Sequence, residues 1–192
     1  MSWKTFHSRG ETLRVVMDTA NHRRDGVLPM GLPGVTENFT DELDLIGALL
    51  LKWHARLSGN IERALVREPM DLESAVAAAW HTTAEQLPGV RLVIDRCMKQ
   101  PTGPEMERAL ARARENEWAR LAIAAGLANT KDDAALVVGR HIERRARAGL
   151  AQPVAAPGPL SEPTAPTAED AGPKTGHTTG SLADRIKAVL AA

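Results

Sequence analysis

Between Leu13 and Ala146, apolar side chains return every three or four residues in one segment after another, and that spacing commits the chain to helices. A helix repeats its face every 3.6 residues and a strand every two, and no period-2 run interrupts the pattern. Composition points the same way, with no Tyr, two Phe and 31 Ala, a set poor in sheet formers and rich in the best helix former. The expected class is all-α. It would be a single bundle of five to six helices over residues 1–150, followed by a disordered Pro/Ala/Thr-rich tether and a short C-terminal amphipathic helix.

Start and stop signals divide the periodic region. A first helix over residues 8–23 would bury Leu13, Val16, Met17 and Ala20. A long second helix, capped by Thr36 or Thr40 and ended by Pro69, would turn Leu43, Ile46, Leu50, Trp53, Leu57, Ile61 and Ala64 inward. Asp71 is placed to cap a third, over residues 72–86, with Leu72, Val76, Ala79, Trp80 and Thr83 inside. Pro88 separates it from a short fourth helix over residues 89–99 that would bury Val90, Val93, Ile94 and Cys97. Thr102 with Glu105, and Thr130 with Asp133, have capping-box spacing before a fifth and a sixth helix. The fifth would bury Met106, Leu110, Trp118, Leu121 and Ala125, and the sixth Ala135, Val138, Ile142 and Ala146. Gly126 and Gly149 would end them as glycine caps.

After Leu150 the composition changes. In residues 151–180, 22 of 30 side chains are Pro, Ala, Thr, Gly or Ser, too little apolar surface to offset the entropy of ordering, so this segment reads as a disordered linker. With 24 basic and 24 acidic residues the chain has no global pull toward nucleic acid or an anionic membrane, and any such binding must be local. Cys97, the single cysteine, excludes an intramolecular disulfide, and no secretory h-region or 20-residue apolar run is present, so the expected location is cytoplasmic.

Sites of familiar chemistry are sparse. His54, His81 and His141 fall on three different helices and none follows a Glu at the three-residue spacing of helical di-metal sites, so no metal and no cofactor is expected. Cys97 lies on an apolar face, where a thiol resists ionisation, and neither a nucleophile elbow nor a phosphate loop occurs. Glu105, Glu107, Arg108, Arg112, Arg114, Glu115, Glu117 and Arg120 mix signs in the manner of a solvated helix face. The strongest basic cluster is Arg140, Arg144, Arg145 and Arg147. It complements the negative end of the sixth helix, and no aromatic residue for base stacking occurs from Lys131 onward.

Two segments suggest contacts with other proteins. Residues 26–35 carry no polar side chain, so this loop either caps the bundle or docks a partner. In residues 181–192, Ser181 and Asp184 have capping-box spacing, and Leu182, Ile186, Val189 and Leu190 share one helical face. A helix so short orders only when that face meets a groove, so these four residues are the candidate partner-binding set. The terminal Leu190-Ala191-Ala192 resembles the end of the bacterial tag added by transfer-messenger RNA, and the resemblance implies recognition by ClpXP-type proteases. The expected function is therefore that of a non-enzymatic bacterial interaction or adaptor protein, a helical platform with a tethered docking peptide. Two rivals are a small helical-bundle enzyme or metal-dependent oxidoreductase with its site inside the bundle, and an Arg-mediated nucleic-acid binder. Nucleic acid is the less expected partner, and no membrane contact is expected.

Overall fold

The computed structural model describes the backbone of residues 3–151 and the side chains of residues 8–150. These residues are all-α, as the periodicity requires, and no strand occurs among them. In chain order the helices are α1 (Trp3–Arg23), the single turn α2 (Val35–Asn38), α3 (Glu42–Arg67), α4 (Leu72–Gln86), α5 (Pro88–Lys99), α6 (Pro104–Ala124) and α7 (Asp133–Ala151). The linker and tail expected over residues 151–180 and 181–192, with Leu182, Ile186, Val189 and Leu190, lie outside the described side chains.

Local chemistry sets most of the boundaries. Asp41 caps α3 by accepting from the Asp44 backbone N–H at 2.8 Å, and Asp71 caps α4 by accepting from that of Ser74 at 3.0 Å. Asp41 thus displaces Thr40, and Thr36 falls inside α2. Neither expected capping box forms. Gly103 stands at the N-cap of α6 with no side-chain bond, and the Thr102 hydroxyl points to the Met106 sulfur instead. Pro104 at the first helical position needs no N–H there, so that end loses little. At α7 the carboxylate of Asp132 accepts from the Ala135 N–H at 2.8 Å, the role assigned by spacing to Thr130 and Asp133. Gly126 adopts φ +70°, and the N–H groups of Gly126 and Leu127 close back on Ile123 and Ala122, a glycine cap as expected.

Helix α3, about 39 Å long for its 26 residues, is the spine of the core. It packs on α4, α5, α6 and α1, while α7 packs on α4 and α6. Leu45, Ile46, Leu49, Trp53, Leu57 and Ile61 on α3 meet Val76 and Trp80 of α4, Val90, Val93 and Ile94 of α5, and Leu121 and Ile142 of α6 and α7 in one cluster. The stripe on α3 is wider than the expected one, since Leu45, Leu49 and Asn60 are buried while Leu43 and Ala64 are half-buried. Trp53 and Trp80 meet edge to face with ring centroids 5.5 Å apart.

Two glycines let helices touch backbone to backbone. A Cβ on Gly139 of α7 would sit 1.9 Å from the carbonyl oxygen of Trp118, and one on Gly89 of α5 would sit 1.8 Å from that of Ala20. The apolar loop caps the bundle: Leu28, Met30 and Leu32 are half-buried against the core, and Val35 and Phe39 behind them are buried. No helix among the described residues is long and apolar enough to cross a membrane.

Candidate functional site

The sequence pattern of α6 places Trp118 inside and Glu117 on a solvated face, but the structure buries Glu117 and leaves Trp118 at the edge of the core. Glu117 is 3% exposed and Trp118 is half-buried, a difference of about 100° around the helix axis. What holds a carboxylate in the core is a full set of donors. Trp53 Nε1 donates to Glu117 Oε2 at 2.8 Å and Trp80 Nε1 to Oε1 at 2.9 Å. Arg91 Nη1 donates to Oε1 at 3.2 Å, and His54 Nε2 lies 3.2 Å from Oε2. An ionised carboxylate only accepts, so His54 carries its proton on Nε2.

The charge on Glu117 follows from this shell. Burial opposes ionisation, but the nearby Arg91 charge and the bonds from His54 and Trp80 outweigh it and hold the carboxyl down at about 2. With both oxygens occupied by donors and the group ionised at neutral pH, Glu117 has no lone pair poised for a proton and works as a structural anion. Its neighbour Arg91, 5% exposed, lies 4.8 Å from the Trp53 ring centroid and 5.3 Å from that of Trp80.

From this centre a chain of ion pairs runs outward to the surface between α5, α6 and α7. Arg91 Nη2 reaches Asp95 at 2.7 Å, one turn along α5. Both Asp95 oxygens accept from Arg147 at 2.8 Å. Arg147 also bonds Glu143, one turn back on α7, at 2.8 Å, and Glu143 accepts from Trp118 Nε1 at 2.6 Å. Burial works against the charge of Asp95, and Arg147 together with Arg91 reverses it, so the carboxyl lies below the usual range. The arginines are thus locked to carboxylates, and the indole of Trp118 is fixed from below.

Above this floor opens a cleft of about 530 Å³, lined by all three helices. Lys99 of α5, Arg114 of α6, and Arg140 and Arg144 of α7 stand around it, and all four are exposed. None has a carboxylate at ion-pair distance among the described residues. Arg114 and Arg140 instead approach the Trp118 ring, at 5.2 and 5.9 Å from its centroid. With Arg91 and Arg147 the lining holds six cations against two carboxylates, Asp95 and Glu143, and both carboxylates are already committed to arginines. On a chain of zero formal charge that is a concentrated local field.

The basic cluster read from the sequence is therefore divided. Arg140, Arg144 and Arg147 join the cleft, while Arg145 turns away to Glu73 and Ser74 of α4. Lys99 and Arg114 complete the cleft from α5 and α6, helices that no local pattern links to the basic end of α7. The three histidines go to different places: His54 to Glu117, His81 to Glu85 and the Ala146 carbonyl, and His141 to the solvent-exposed face of α7. Among the described residues no group of three or more His, Cys, Asp or Glu side chains is placed to hold a metal ion. Cys97 is half-buried, and burial, with the Glu42 charge, pushes its thiol up. No protein-family model, no curated protein and no solved structure matches the chain.

Proposed function

We propose that the helical domain is a non-enzymatic binding module for an anionic, phosphate-bearing ligand, and that the ligand sits in the cleft between α5, α6 and α7. The observation that carries this reading is the convergence of Lys99, Arg114, Arg140 and Arg144 on one concavity, with no carboxylate at ion-pair distance from any of them among the described residues. Surface cations usually find a counter-charge or point into open water, whereas four facing one cleft repel each other and are relieved by a bound anion. Guanidinium forks match phosphate oxygens geometrically, so three arginines suit phosphate better than a single-point anion. The floor supports the role: Arg91 and Arg147 are held by Glu117, Asp95 and Glu143, which fixes the walls before any ligand arrives. The saturated state of Glu117 gives no support to the rival reading of an enzyme with its acid or base inside the bundle.

Calorimetric titration with inorganic tripolyphosphate tests the proposal. Charge reversal by Arg140→Glu or Arg144→Glu abolishes binding, while Arg112→Glu, the same charge change on an exposed position outside the cleft, leaves most of it. Equal losses in all three variants would reduce the effect to net charge and refute a site.

The tail supports a second, separable proposal, that of an adaptor. Its apolar face at Leu182, Ile186, Val189 and Leu190 suits a groove on a protein partner, and the cytoplasm is the proposed compartment. Affinity purification with the full chain and with a chain ending at Leu150 tests it, since the partner is lost with the tail. An Ile186→Asp chain that still captures the same partner would contradict it.

A further inference from the structure

We propose that the ligand of the α5–α6–α7 cleft is a nucleoside polyphosphate, its phosphates held by Lys99, Arg140 and Arg144 and its base seated against Trp118 and Met98. The inference rests on the anion-binding reading of the same cleft and adds the class of ligand.

Two observations set a compact ligand apart from an extended strand, and a third sets a nucleotide apart from inorganic phosphate. The cations converge from three helices onto one concavity of about 530 Å³, within the roughly 300–1,000 Å³ of small-molecule sites. A strand binder instead lays its cations along a track that follows the backbone.

Toward α6 the positive field also stops at the rim. The groove that continues along α5 and α6 past Met98, Lys99 and Arg114 adds Glu107 and no further cation, whereas the one on the other side of Lys99 adds Arg24 and Arg96 beside Asp25, which is itself paired with Arg23. Farther along α6, Glu115 is paired with Lys131, and on α7 Arg145 is turned to Glu73. A strand leaving the cleft along α6 would run into carboxylates, whereas a ligand that ends inside it meets four cations that have no carboxylate at ion-pair distance among the described residues.

The third observation is the tryptophan. Trp118 and Met98 are the uncharged side chains of the lining, and both are half-buried, so the cleft has an apolar wall as well as a charged one. The Trp118 indole is pinned by its 2.6 Å bond to Glu143, which fixes the plane on which a base would stack. Arg114 and Arg140 stand over that ring, so a base that stacks there takes the place of a guanidinium, which is freed to pair with phosphate oxygens. Inorganic phosphates use only the charged wall, and a nucleotide uses both.

Calorimetry on the full chain at fixed ionic strength, with ATP, GTP, inorganic tripolyphosphate and a twenty-residue oligothymidylate, separates the possibilities. ATP or GTP is expected to bind one to one and at least about tenfold more tightly than tripolyphosphate, the lower part of the range for stacking one base on an aromatic ring. Arg144→Ala weakens all three phosphate ligands, whereas Trp118→Leu, its fold checked by circular dichroism, weakens the nucleotides by a larger factor than tripolyphosphate. Equal affinity for tripolyphosphate and the nucleotides would overturn the nucleotide assignment while leaving the anion site standing. Tighter binding of the oligothymidylate would overturn it in favour of a strand. Absence of binding by every probe would remove the anion-binding reading itself.

Discussion

Glu117→Gln tests the electrostatic centre of the bundle, because it keeps the volume of the side chain and removes its charge. One carboxylate oxygen becomes an NH₂ donor. Whichever oxygen is replaced, an indole N–H then faces a donor: Trp53 if Oε2 is lost, Trp80 if Oε1 is lost. Arg91, 5% exposed, keeps Asp95 but loses its partner in the core. The size of the effect follows by two routes. A carboxyl held at about 2 instead of the ordinary 4.5, at about 1.4 kcal/mol per unit, stabilises the fold by about 3 kcal/mol at neutral pH. Breaking a buried ion pair by removing one partner costs about 3–5 kcal/mol, which is the same order. The sign is also fixed. The native carboxyl binds its proton less tightly than the unfolded one, so the stabilisation is complete above a pH of about 4.5 and is lost as the pH falls towards 2. Urea denaturation across this range should show the variant about 3 kcal/mol less stable at neutral pH and the gap closing in acid. A loss below about 1 kcal/mol at neutral pH, or two acid limbs that run parallel, would refute the reasoning.

Gly139→Ala should lower the thermal midpoint by several degrees, because a Cβ there lies 1.9 Å from the Trp118 carbonyl oxygen and the strain exceeds the gain of about 1 kcal/mol in helix propensity. A midpoint that rises would mean that α6 and α7 stand farther apart. Asp71→Ala and Asp132→Ala should each cost about 1 kcal/mol in denaturant titrations, with Thr102→Ala and Thr130→Ala near neutral; the reverse ranking would reinstate the capping boxes. Trp53→Ala or Trp80→Ala should cost at least about 3–5 kcal/mol, since each leaves a cavity and also strips a donor from Glu117. A near-neutral result at either would contradict the packing of α3 on α4.

The helices were legible because several independent local signals agreed. Asp71, Pro88 and Gly126 mark ends that the apolar spacing also marks, and each acts through its own backbone chemistry. Where the reading slipped, two short-range options competed. A Thr and an Asp within three residues both offer a cap, and the Asp won at α3 and α7 through its charge-assisted bond. Glu117 was illegible for a different reason. Its donors lie 64, 63, 37 and 26 residues away in sequence, and α6 has a mixed Arg/Glu/Ala pattern that defines its inner face poorly. One clue was present: two tryptophans expected in the core need acceptors for their indole N–H groups, which implies a buried acceptor without saying which. The cleft was half legible. Arg140, Arg144 and Arg147 stood out as a cluster, but Lys99 and Arg114 join it only through the packing of α5 and α6 on α7.

The central claim, that the cleft between α5, α6 and α7 seats an anion, is tested most directly by following the tryptophan indole N–H resonances by NMR while tripolyphosphate is added at constant ionic strength. Trp118 lies in the cleft with Arg114 and Arg140 beside its ring, whereas Trp53 and Trp80 are sealed in the core against Glu117. The account requires the Trp118 signal to move and saturate, together with the backbone amides around Lys99, Arg114, Arg140 and Arg144, while the Trp53 and Trp80 signals stay in place. A Trp118 signal that does not move, or shifts scattered over the basic residues of the whole surface without saturation, would contradict it.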